Sequence, residues 1–273
     1  MKKNIKALIA VPTFNEAQNV SKLLVRLEQW KQDVLVIDDG SLDKTKDIVE
    51  RMGFNCFSRE SNIGLAGFYE TAKRHALKHN YTHLVAIDGD GQHDPGYIPE
   101  FIRALQHYDF VSGNRLGDVA EIPASKLASN MFAILLFKKF LNLTFPDVAC
   151  GFRAMKLIAI PETNCLSRFE IIYELIILHA KTGKPTGFVP IPAIYHASDA
   201  LNTKIPEIDG LLSAVIKHNP APELSNIMDS VKSKSTFRIR LFDMIFEACF
   251  QEPGAYLFQM HGLKPGAGLK ENS

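Results

Sequence analysis

Two aspartates separated by one glycine follow an apolar run near the middle of the chain. The run covers residues 83–87, and Asp88, Gly89 and Asp90 come directly after it. An apolar run that ends in a polar, glycine-rich segment is typical of a buried parallel strand and the loop where open α/β sheets bind ligands. In extended backbone the side chains at i and i+2 point the same way, so we expect the two carboxylates to project together.

Two carboxylates this close repel each other unless a cation lies between them. A hard divalent ion with oxygen ligands, Mg²⁺ or Mn²⁺, would relieve the repulsion and leave positions open for substrate phosphates. The spacing therefore indicates a site for a metal and a diphosphate. The alternative is a surface turn, which is the commoner structure for an isolated Asp-Gly-Asp sequence.

A second acidic pair stands in the same kind of position. The segment 33–37 is predicted to be a strand, and Asp38 and Asp39 follow it directly. There the two carboxylates could accept hydrogen bonds from a nucleobase edge or from ribose hydroxyls, although lone turn residues of this type usually do no chemistry. Ser41 is expected to cap the next helix, and Gly53 is expected to end it.

Two further loops belong to the same edge of the predicted sheet. The first strand is predicted at 5–11, and the polar loop 12–16 follows it, with Asn15 expected to cap a helix that runs to about residue 30. Gly64 and Gly67 stand where a later loop meets a helix. Such small residues let the backbone approach a ligand closely, but simple packing explains them equally well.

The order of these elements predicts the fold class. Three β-α units joined by short links are typical of an α/β doubly wound fold with a mostly parallel sheet. Beyond them we expect a strand at 109–115, an apolar core helix at 125–143 and a helix at 169–182. Glu170 and Glu174 lie four residues apart on that last helix, and at least one should meet solvent or a site because buried carboxylates are costly.

Composition narrows the functional class only slightly. The 273 residues carry a net charge of +1, which gives no global reason to expect a nucleic-acid partner. The four cysteines lack the close spacing of zinc or redox sites, which indicates reduced thiols and a cytoplasmic protein. We expect neither an export signal nor a membrane-spanning helix.

The character of the sequence changes near residue 219. Prolines and a polar run are typical of a linker, and the segment 237–250 beyond it has apolar residues on one helical face. Such a helix could lie on the cytoplasmic face of a membrane as a peripheral contact, or it could dock against the core, which is the commoner arrangement. We therefore divide the chain into a domain at 1–218 and a linker, helix and tail at 219–273.

Several short motifs follow one another along residues 5–210. They are PTFNE at 12–16, VIDDGSLDKT at 36–45, Asn62 with Gly64, DGDGQHDP at 88–95, SGNR at 112–115, GFR at 151–153, and Glu174-Leu175 ahead of Gly183. Each motif is weak by itself, but the combination is highly specific. It resembles the family 2 glycosyltransferases of GT-A fold, in particular the branch that transfers sugars to dolichyl or polyprenyl phosphate.

The resemblance implies a GT-A fold, a Rossmann-like nucleotide-diphospho-sugar transferase architecture with helices on both sides of the sheet, and roles for individual residues. Those it implies for binding the nucleoside diphosphate sugar are Pro12, Thr13, Asn15, Glu16, Asp38, Asp39, Gly64, Asp88, Gly89 and Lys204. Those it implies for Mg²⁺ or Mn²⁺ are Asp88, Asp90 and Gln92. By the same resemblance Arg115 and Lys204 should meet phosphates of the donor or the acceptor, and Lys126 stands where the branch often has an arginine.

The hypothesis is an inverting transfer from a UDP- or GDP-sugar to a polyprenyl phosphate or to a glycan hydroxyl. A hydroxyl acceptor would need a general base, for which Asp147 and then Glu174 are the candidates. A phosphate monoester is already a nucleophile at pH 7 and would instead need cations such as Arg115, Lys126 or Arg153. Asp147 and Arg153 could equally form an ion pair that only orders their loop.

Two other functional classes fit part of the pattern. A sugar nucleotidyltransferase would also combine a Rossmann-like sheet with metal carboxylates, but we expect it to have a glycine-rich, basic loop where this chain has residues 12–16. A non-catalytic nucleotide-sugar-binding or scaffold protein could share the fold, because a fold does not fix a function. The intact sequence from Asp88 to Asp90 favours an enzyme.

Overall fold

The computed structural model describes residues 4–160, 169–195, 205–225 and 228. Strands of this part of the chain form one seven-stranded sheet in the order β3-β2-β1-β4-β6-β5-β7. They are β1 (Ala7–Thr13), β2 (Val34–Asp38), β3 (Asn55–Ser58), β4 (His83–Ala86), β5 (Phe110–Asn114), β6 (Arg153–Lys156) and β7 (Gly187–Pro190).

The sheet is mostly parallel, as predicted. β1 lies between β2 and β4 and pairs with both in parallel, while β6 runs antiparallel to β4 and β5. Val11, Val36 and Val85 are fully buried in the three central strands, which explains why these strands are continuous apolar runs in the sequence. The carboxyl ends of β1, β2 and β4 consequently meet at one edge of the sheet.

Helices connect the strands and pack against them. In the described part of the chain they are α1 (Val20–Leu27), α2 (Thr45–Arg51), α3 (Leu65–Lys78), α4 (Ile98–Ala104), α5 (Ala124–Leu136), α6 (Glu170–Lys181) and α7 (Ile205–His218). Gly53 and Gly183 follow α2 and α6 with φ of 72° and 71°. This left-handed backbone favours glycine and ends both helices where the sequence predicts.

The predicted caps of the first two helices are wrong. α1 begins at Val20, well after Asn15, and Asn15 adopts a left-handed φ of 58°. The Asn15 side chain accepts a hydrogen bond from the Leu42 amide at 2.9 Å, and the Asn15 amide donates to Ser41 Oγ at 2.8 Å. Asn15 and Ser41 therefore join the loops after β1 and β2 and do not start helices.

The expectation that Glu170 or Glu174 would meet solvent or a site is also wrong. Both side chains are buried, at 0% and 1% exposure. Lys217 Nζ lies 3.6 Å from Glu170 and 2.9 Å from Glu174, and His218 Nε2 lies 2.8 Å from Glu174. The cost of burying the carboxylates is offset by these partners on α7, so the pair joins α6 to α7.

The helix predicted at 125–143 is α5, and it continues into a π-helical turn at Phe137–Leu141.

No described helix is long and apolar enough to cross a membrane. The chain divides into compact units at 1–220 and 221–273; the helix predicted at 237–250 lies outside the described residues.

Candidate active site

An open cleft of about 760 Å³ lies at the carboxyl ends of the parallel strands. It brings together most of the binding and metal residues that the sequence predicts. Those that line it are Pro12, Thr13, Asn15, Glu16, Asp39, Gly64, Asp88, Gly89, Asp90, Gln92 and Arg115. Asp38, Asp147, Arg153 and Glu174 are not among the residues that line this cleft, and Lys204 lies outside the described residues.

Asp88 and Asp90 occupy a turn that packs against the end of β1. β4 ends at Ala86, so the expectation of extended backbone through the acidic pair is wrong. The Gly89 amide donates to the Pro12 carbonyl at 3.2 Å, and a Cβ on Gly89 would lie 2.7 Å from that oxygen. Gly89 therefore lets the turn approach β1 closely, a contact that a larger residue would disrupt.

The two carboxylates of this turn differ in their electrostatics. Burial raises the pKa of Asp90, the neighbouring Asp88 charge raises it further, and the result is a pKa of about 6. Burial acts in the same direction on Asp88, but a hydrogen bond and the charge of His93, with the charge of Arg115, outweigh it and lower its pKa. The two negative charges are thus close enough to oppose each other's ionisation.

This donor set fits a divalent metal ion. Two carboxylates lie together, and Gln92 lines the same cleft while its backbone N–H donates to Asp90 Oδ1 at 2.9 Å. Among the described residues no three His, Cys, Asp or Glu side chains converge on one point. Mg²⁺ commonly binds proteins through one or two carboxylates and takes its other ligands from water and substrate phosphates, so a metal here would leave positions open for a phosphate group.

His93 is a buried partner of the acidic turn, and no sequence motif had predicted this role. It is 3% exposed, and its Nε2 lies 3.4 Å from Asp88 Oδ2. Its ring packs 5.7 Å from that of Phe152, which stacks on Phe101 at 4.0 Å. His93 therefore fixes the Asp88 side chain against the apolar core. The only available signal was its place within the 88–95 motif.

The second acidic pair divides into one cleft residue and one structural residue. Asp39 lines the cleft and accepts hydrogen bonds from the Gly64 amide at 2.7 Å, the Ile63 amide at 3.2 Å and Arg59 Nη1 at 2.8 Å. Gly64 has a φ of 82°, which suits glycine. Asp39 thereby holds the loop before α3 beside the cleft.

Asp38 points away from the cleft and is 1% exposed. It accepts hydrogen bonds from Ser58 Oγ at 3.0 Å and from the Ser41 amide at 3.3 Å, and its other oxygen is bonded to Ser41 Oγ. These partners lie on β3 and on the loop after β2. Asp38 therefore ties the loop after β2 to the end of β3.

Three buried polar atoms on cleft-lining residues have no hydrogen-bond partner among the described residues. They are Thr13 Oγ1, Asn62 Oδ1 and His93 Nδ1. Buried polar groups are almost always hydrogen-bonded in folded proteins. The atoms of Thr13 and Asn62 lie beside Asp39 and Gly64, where a ligand could supply their partners.

Arg115, which follows β5, also lines the cleft. Its guanidinium donates to Asp147 through Nε at 2.9 Å and through Nη2 at 3.1 Å. Burial alone would raise the pKa of Asp147, but the charge of Arg115 and hydrogen bonds from Arg115 and Asn130 hold that pKa below its ordinary value. Asp147 is fully buried, so it acts on the cleft only through its partners.

Sequence comparison identifies the family. Residues 8–162, more than half of the chain, match glycosyl transferase family 2. The chain belongs to this family. Membership supports a glycosyltransferase enzyme over the nucleotidyltransferase and scaffold alternatives.

Relatives of this family 2 glycosyltransferase include both uncharacterized and named proteins. An uncharacterized protein of Methanocaldococcus jannaschii is 33% identical over 202 residues, 68% of this chain and 87% of that protein. An undecaprenyl-phosphate mannosyltransferase of Micrococcus luteus is 31% identical over 162 residues, 56% and 67% of the two chains. A dolichyl-phosphate hexose transferase of Haloferax volcanii is 26% identical over 189 residues, 67% and 81%.

The fold has counterparts among solved structures. Glucosyl-3-phosphoglycerate synthase from Mycobacterium tuberculosis, solved with Mn²⁺, UDP and phosphoglyceric acid, has a TM-score of 0.59 and 17% identity. The match covers 78% of this chain and 79% of that chain. Together with the family match, it confirms the predicted GT-A-like α/β fold.

Arg153 has a structural role. It is fully buried and donates to the carbonyls of Cys150 at 2.8 Å, Val148 at 3.0 Å and Ile172. The predicted ion pair between Asp147 and Arg153 is wrong, because Asp147 is bonded to Arg115 instead. Arg153 braces the loop before β6 against α6.

One face of α5 reaches the cleft, although the sequence predicted core packing for this helix. Lys126, Ser129 and Asn130 line the cleft at the i, i+3 and i+4 positions. The polar residues at this helical spacing were the available signal. Tyr173 on α6 and Tyr195 after β7 also line the cleft, and no motif pointed to either residue.

Proposed function

We propose that this glycosyltransferase transfers a hexose, with inversion at the anomeric carbon, from a nucleoside diphosphate sugar to a polyprenyl phosphate. One observation carries the choice of acceptor. Asp147, the first candidate for a general base, is buried and bonded to Arg115, and the second candidate, Glu174, is bonded to α7. Neither carboxylate is placed to deprotonate a hydroxyl in the cleft.

The other carboxylates that line the described cleft already have assigned partners. Asp39 accepts three hydrogen bonds, and Glu16 accepts one from Asn19 Nδ2 at 3.0 Å. Asp88 and Asp90 form the proposed metal site. An acceptor that is itself an anion removes the need for a base, because a phosphate monoester has a second pKa near 6 and is ionised at neutral pH.

The cations of the cleft support the same acceptor. Arg115 and Lys126 both line the cleft. A guanidinium binds phosphate oxygens through charge-assisted hydrogen bonds that are shorter and stronger than neutral ones. Relatives named as undecaprenyl-phosphate and dolichyl-phosphate transferases add independent support.

The donor would lie along the loops after β1, β2 and β4. Thr13 and Asn62 offer unpaired polar atoms to the nucleotide, beside the loop that Asp39 holds. Asp88, Asp90 and Gln92 would hold Mg²⁺ or Mn²⁺, and the bound ion would neutralise charge on the departing diphosphate. Arg115 would orient the acceptor phosphate toward the anomeric carbon.

Thermal unfolding tests the donor half of this proposal. UDP, GDP, UDP-glucose and GDP-mannose are each added with Mn²⁺ or with chelator. A ligand at a hundred times its dissociation constant adds about 2.7 kcal/mol to stability, which raises the melting temperature of such a domain by roughly 5–10 °C. We expect this shift for one nucleotide and only with the metal.

A transfer assay tests the acceptor half. The donor that shifts the melting temperature is incubated with farnesyl phosphate or, as a matched control, with farnesol. Transfer to farnesyl phosphate alone supports an anionic acceptor, whereas transfer to farnesol at a similar rate would show that the protein supplies a base. If no nucleotide shifts the melting temperature in Mn²⁺, the proposed donor chemistry fails.

A polyprenyl phosphate would have to be met at a membrane surface. We therefore keep the segment 237–250 as the proposed peripheral contact on the cytoplasmic face. Cosedimentation with anionic lipid vesicles, compared between the full chain and a chain ending at residue 218, tests this contact. Equal binding of the two chains would contradict it.

A further inference from the structure

Arg115 is held along one edge of its guanidinium. Nε and Nη2 donate to the two oxygens of Asp147 at 2.9 and 3.1 Å. A side-on pair of this kind leaves the other edge, formed by Nη1 and the second hydrogen of Nη2, with donors that match a phosphate. Arg115 lines the cleft and is 12% exposed, so this second edge is the part that a ligand can reach.

The hydrogen-bond acceptor sites of the Asp147 carboxylate are all occupied, so it cannot accept a proton from a substrate. Its Oδ2 accepts from Arg115 Nε and from the Arg115 amide at 3.2 Å. Its Oδ1 accepts from Arg115 Nη2, from Asn130 Nδ2 at 2.8 Å and from the Ala149 amide at 3.1 Å. A carboxylate offers about four lone-pair sites, and this one receives five donors while fully buried.

Asn130 connects the pair to α5. Its amide nitrogen donates to Asp147, and its carbonyl oxygen accepts from the Val148 amide at 3.4 Å. Asn130 is itself 5% exposed and lines the cleft. The Asp147 carboxylate is therefore fixed from two directions, by its own loop and by α5, before any ligand binds.

From this geometry we infer that Asp147, supported by Asn130, is a positioning residue that aims the second edge of the Arg115 guanidinium at the acceptor phosphate. It is not the general base. The inference rests on the proposed acceptor, and it adds the residue that pre-orients the phosphate-binding cation. Misplacing a substrate-orienting group by about 1 Å costs on the order of 10²-fold in rate.

A double-mutant cycle tests the inference. Asp147→Asn, Arg115→Gln and the double variant are compared with wild type for kcat and KM toward farnesyl phosphate. Asp147→Asn should lower kcat/KM about 10²-fold, while the metal-dependent affinity for the nucleotide changes less than about 3-fold. If Asp147 acts only through Arg115, the same change in the Arg115→Gln background should cost less than about 3-fold more.

The rival roles give different results. A general base would make the two losses multiply and would remove the acidic limb of the pH profile of kcat, whereas a positioning residue leaves the profile of the residual activity unchanged. A purely scaffolding role would lower nucleotide affinity along with turnover. Either result overturns the inference. If Asp147→Asn does not fold, Asp147→Glu, which keeps the charge and displaces it, replaces it in the same cycle.

Asp109→Asn is the matched control. Asp109 is also a carboxylate paired with cations, Lys156 and Lys184, but it does not line the cleft. The substitution should leave kcat and KM for both substrates at wild-type values. A loss comparable to that of Asp147→Asn would show that the loss of an ion pair away from the cleft has this effect and would overturn the inference.

An NMR measurement separates this inference from the acceptor proposal. The NMR signal of the Arg115 Nε–H is assigned by its absence in Arg115→Gln. This proton should be protected from exchange with water in wild type and in Asp109→Asn, and the protection should be lost in Asp147→Asn. If protection is lost but farnesyl phosphate is not an acceptor, the acceptor proposal fails and the positioning role stands. If the signal stays protected in Asp147→Asn, the positioning role is overturned whatever the acceptor.

Discussion

Asp88 and Asp90 are chemically identical residues two positions apart, and their neighbours make them different. Asp88 has His93 at 3.4 Å and the charge of Arg115 nearby, which favour its ionised form. For Asp90, burial and the Asp88 charge outweigh the hydrogen bond from the Gln92 backbone amide and the charge of His93, so its pKa rises to about 6. A divalent ion would reverse this disadvantage, since it interacts favourably with both carboxylates.

At this scale we predict that Asp90→Asn separates metal binding from folding. The melting-temperature increase of roughly 5–10 °C that a saturating nucleotide should give with Mn²⁺ should disappear. Without metal, the variant should be at least as stable to urea as wild type, because the substitution removes a repulsion. Melting curves and urea titrations in chelator measure the two effects.

The control for this change is Asp94→Asn. Asp94 belongs to the same segment, pairs with Arg26 and accepts from the Gly96 amide at 2.7 Å, but it does not line the cleft. It should retain the metal-dependent shift. If Asp90→Asn kept a metal-dependent increase in melting temperature equal to that of Asp94→Asn, Asp90 would not be a metal ligand.

At the scale of elements, the site depends on loops that touch rather than on any one strand. The end of β1 packs on the acidic turn, where the Gly89 amide donates to the Pro12 carbonyl. The loop before β6 passes on the other side, where a Cβ on Gly151 would lie 1.9 Å from Asp88 Oδ2. The Asp88 side chain is thus confined between His93 and backbone, which limits the positions its carboxylate can take.

We predict that Gly151→Ala disables the metal site with little loss of fold. The added methyl group must displace either the Asp88 carboxylate or the loop, and the carboxylate is the easier of the two to move. Affinity for Mn²⁺ in the presence of nucleotide should fall about 10–100-fold, while overpacking costs about 1–3 kcal/mol. Calorimetric titration and urea unfolding measure these quantities.

Gly117→Ala provides the comparison, because a Cβ there meets nothing within 4 Å. It should change neither metal affinity nor, beyond about 0.5 kcal/mol, stability. Equal metal affinity in Gly151→Ala and Gly117→Ala would show that Asp88 has room to move without consequence.

At the scale of the whole molecule, the parts that follow from local pattern were predictable and the parts that depend on distant partners were not. Apolar runs such as 34–37 and 83–87 predict buried parallel strands, and the carboxyl-end rule then places Asp39 and Asp88 at one edge. The choice of Arg115 over Arg153 as the partner of Asp147 depends on how β5 and β6 pair. No spacing in the sequence encodes that pairing.

The same limit applies to polar loops. Asn15 before an amphipathic segment fits a helix cap locally, yet its left-handed backbone and its bond to Leu42 arise from contact between two loops. Burying Glu170 and Glu174 is costly without partners, and their partners Lys217 and His218 lie on α7, far along the chain. Predictions from sequence failed where a polar group finds its partner far along the chain.

Asp109 joins three strands of the second half of the sheet, and its charge links their stability to pH. It precedes β5 and pairs with Lys156 at the end of β6 and with Lys184, 2.8 Å away, before β7. Burial would raise the pKa of Asp109, but hydrogen bonds from both lysines and their charges lower it to about 2. A carboxyl whose pKa is lowered by folding stabilises the fold fully at pH values above its pKa in the unfolded chain, near 3.9. It loses that contribution as the pH falls toward its folded pKa of about 2.

We therefore predict that Asp109→Asn lowers the free energy of unfolding at pH 7 by about 1–2 kcal/mol, because two partly exposed ion pairs are lost. The difference from wild type should shrink between pH 4 and pH 2, where the wild-type carboxylate takes up its proton. Urea titrations at pH 7, 4, 3 and 2.5 follow it. Glu50→Gln, which removes the exposed pair with Lys46, should differ from wild type by less than about 0.5 kcal/mol throughout. A constant deficit in Asp109→Asn down to pH 2.5 would mean that Asp109 contributes through hydrogen-bond geometry and not through its charge.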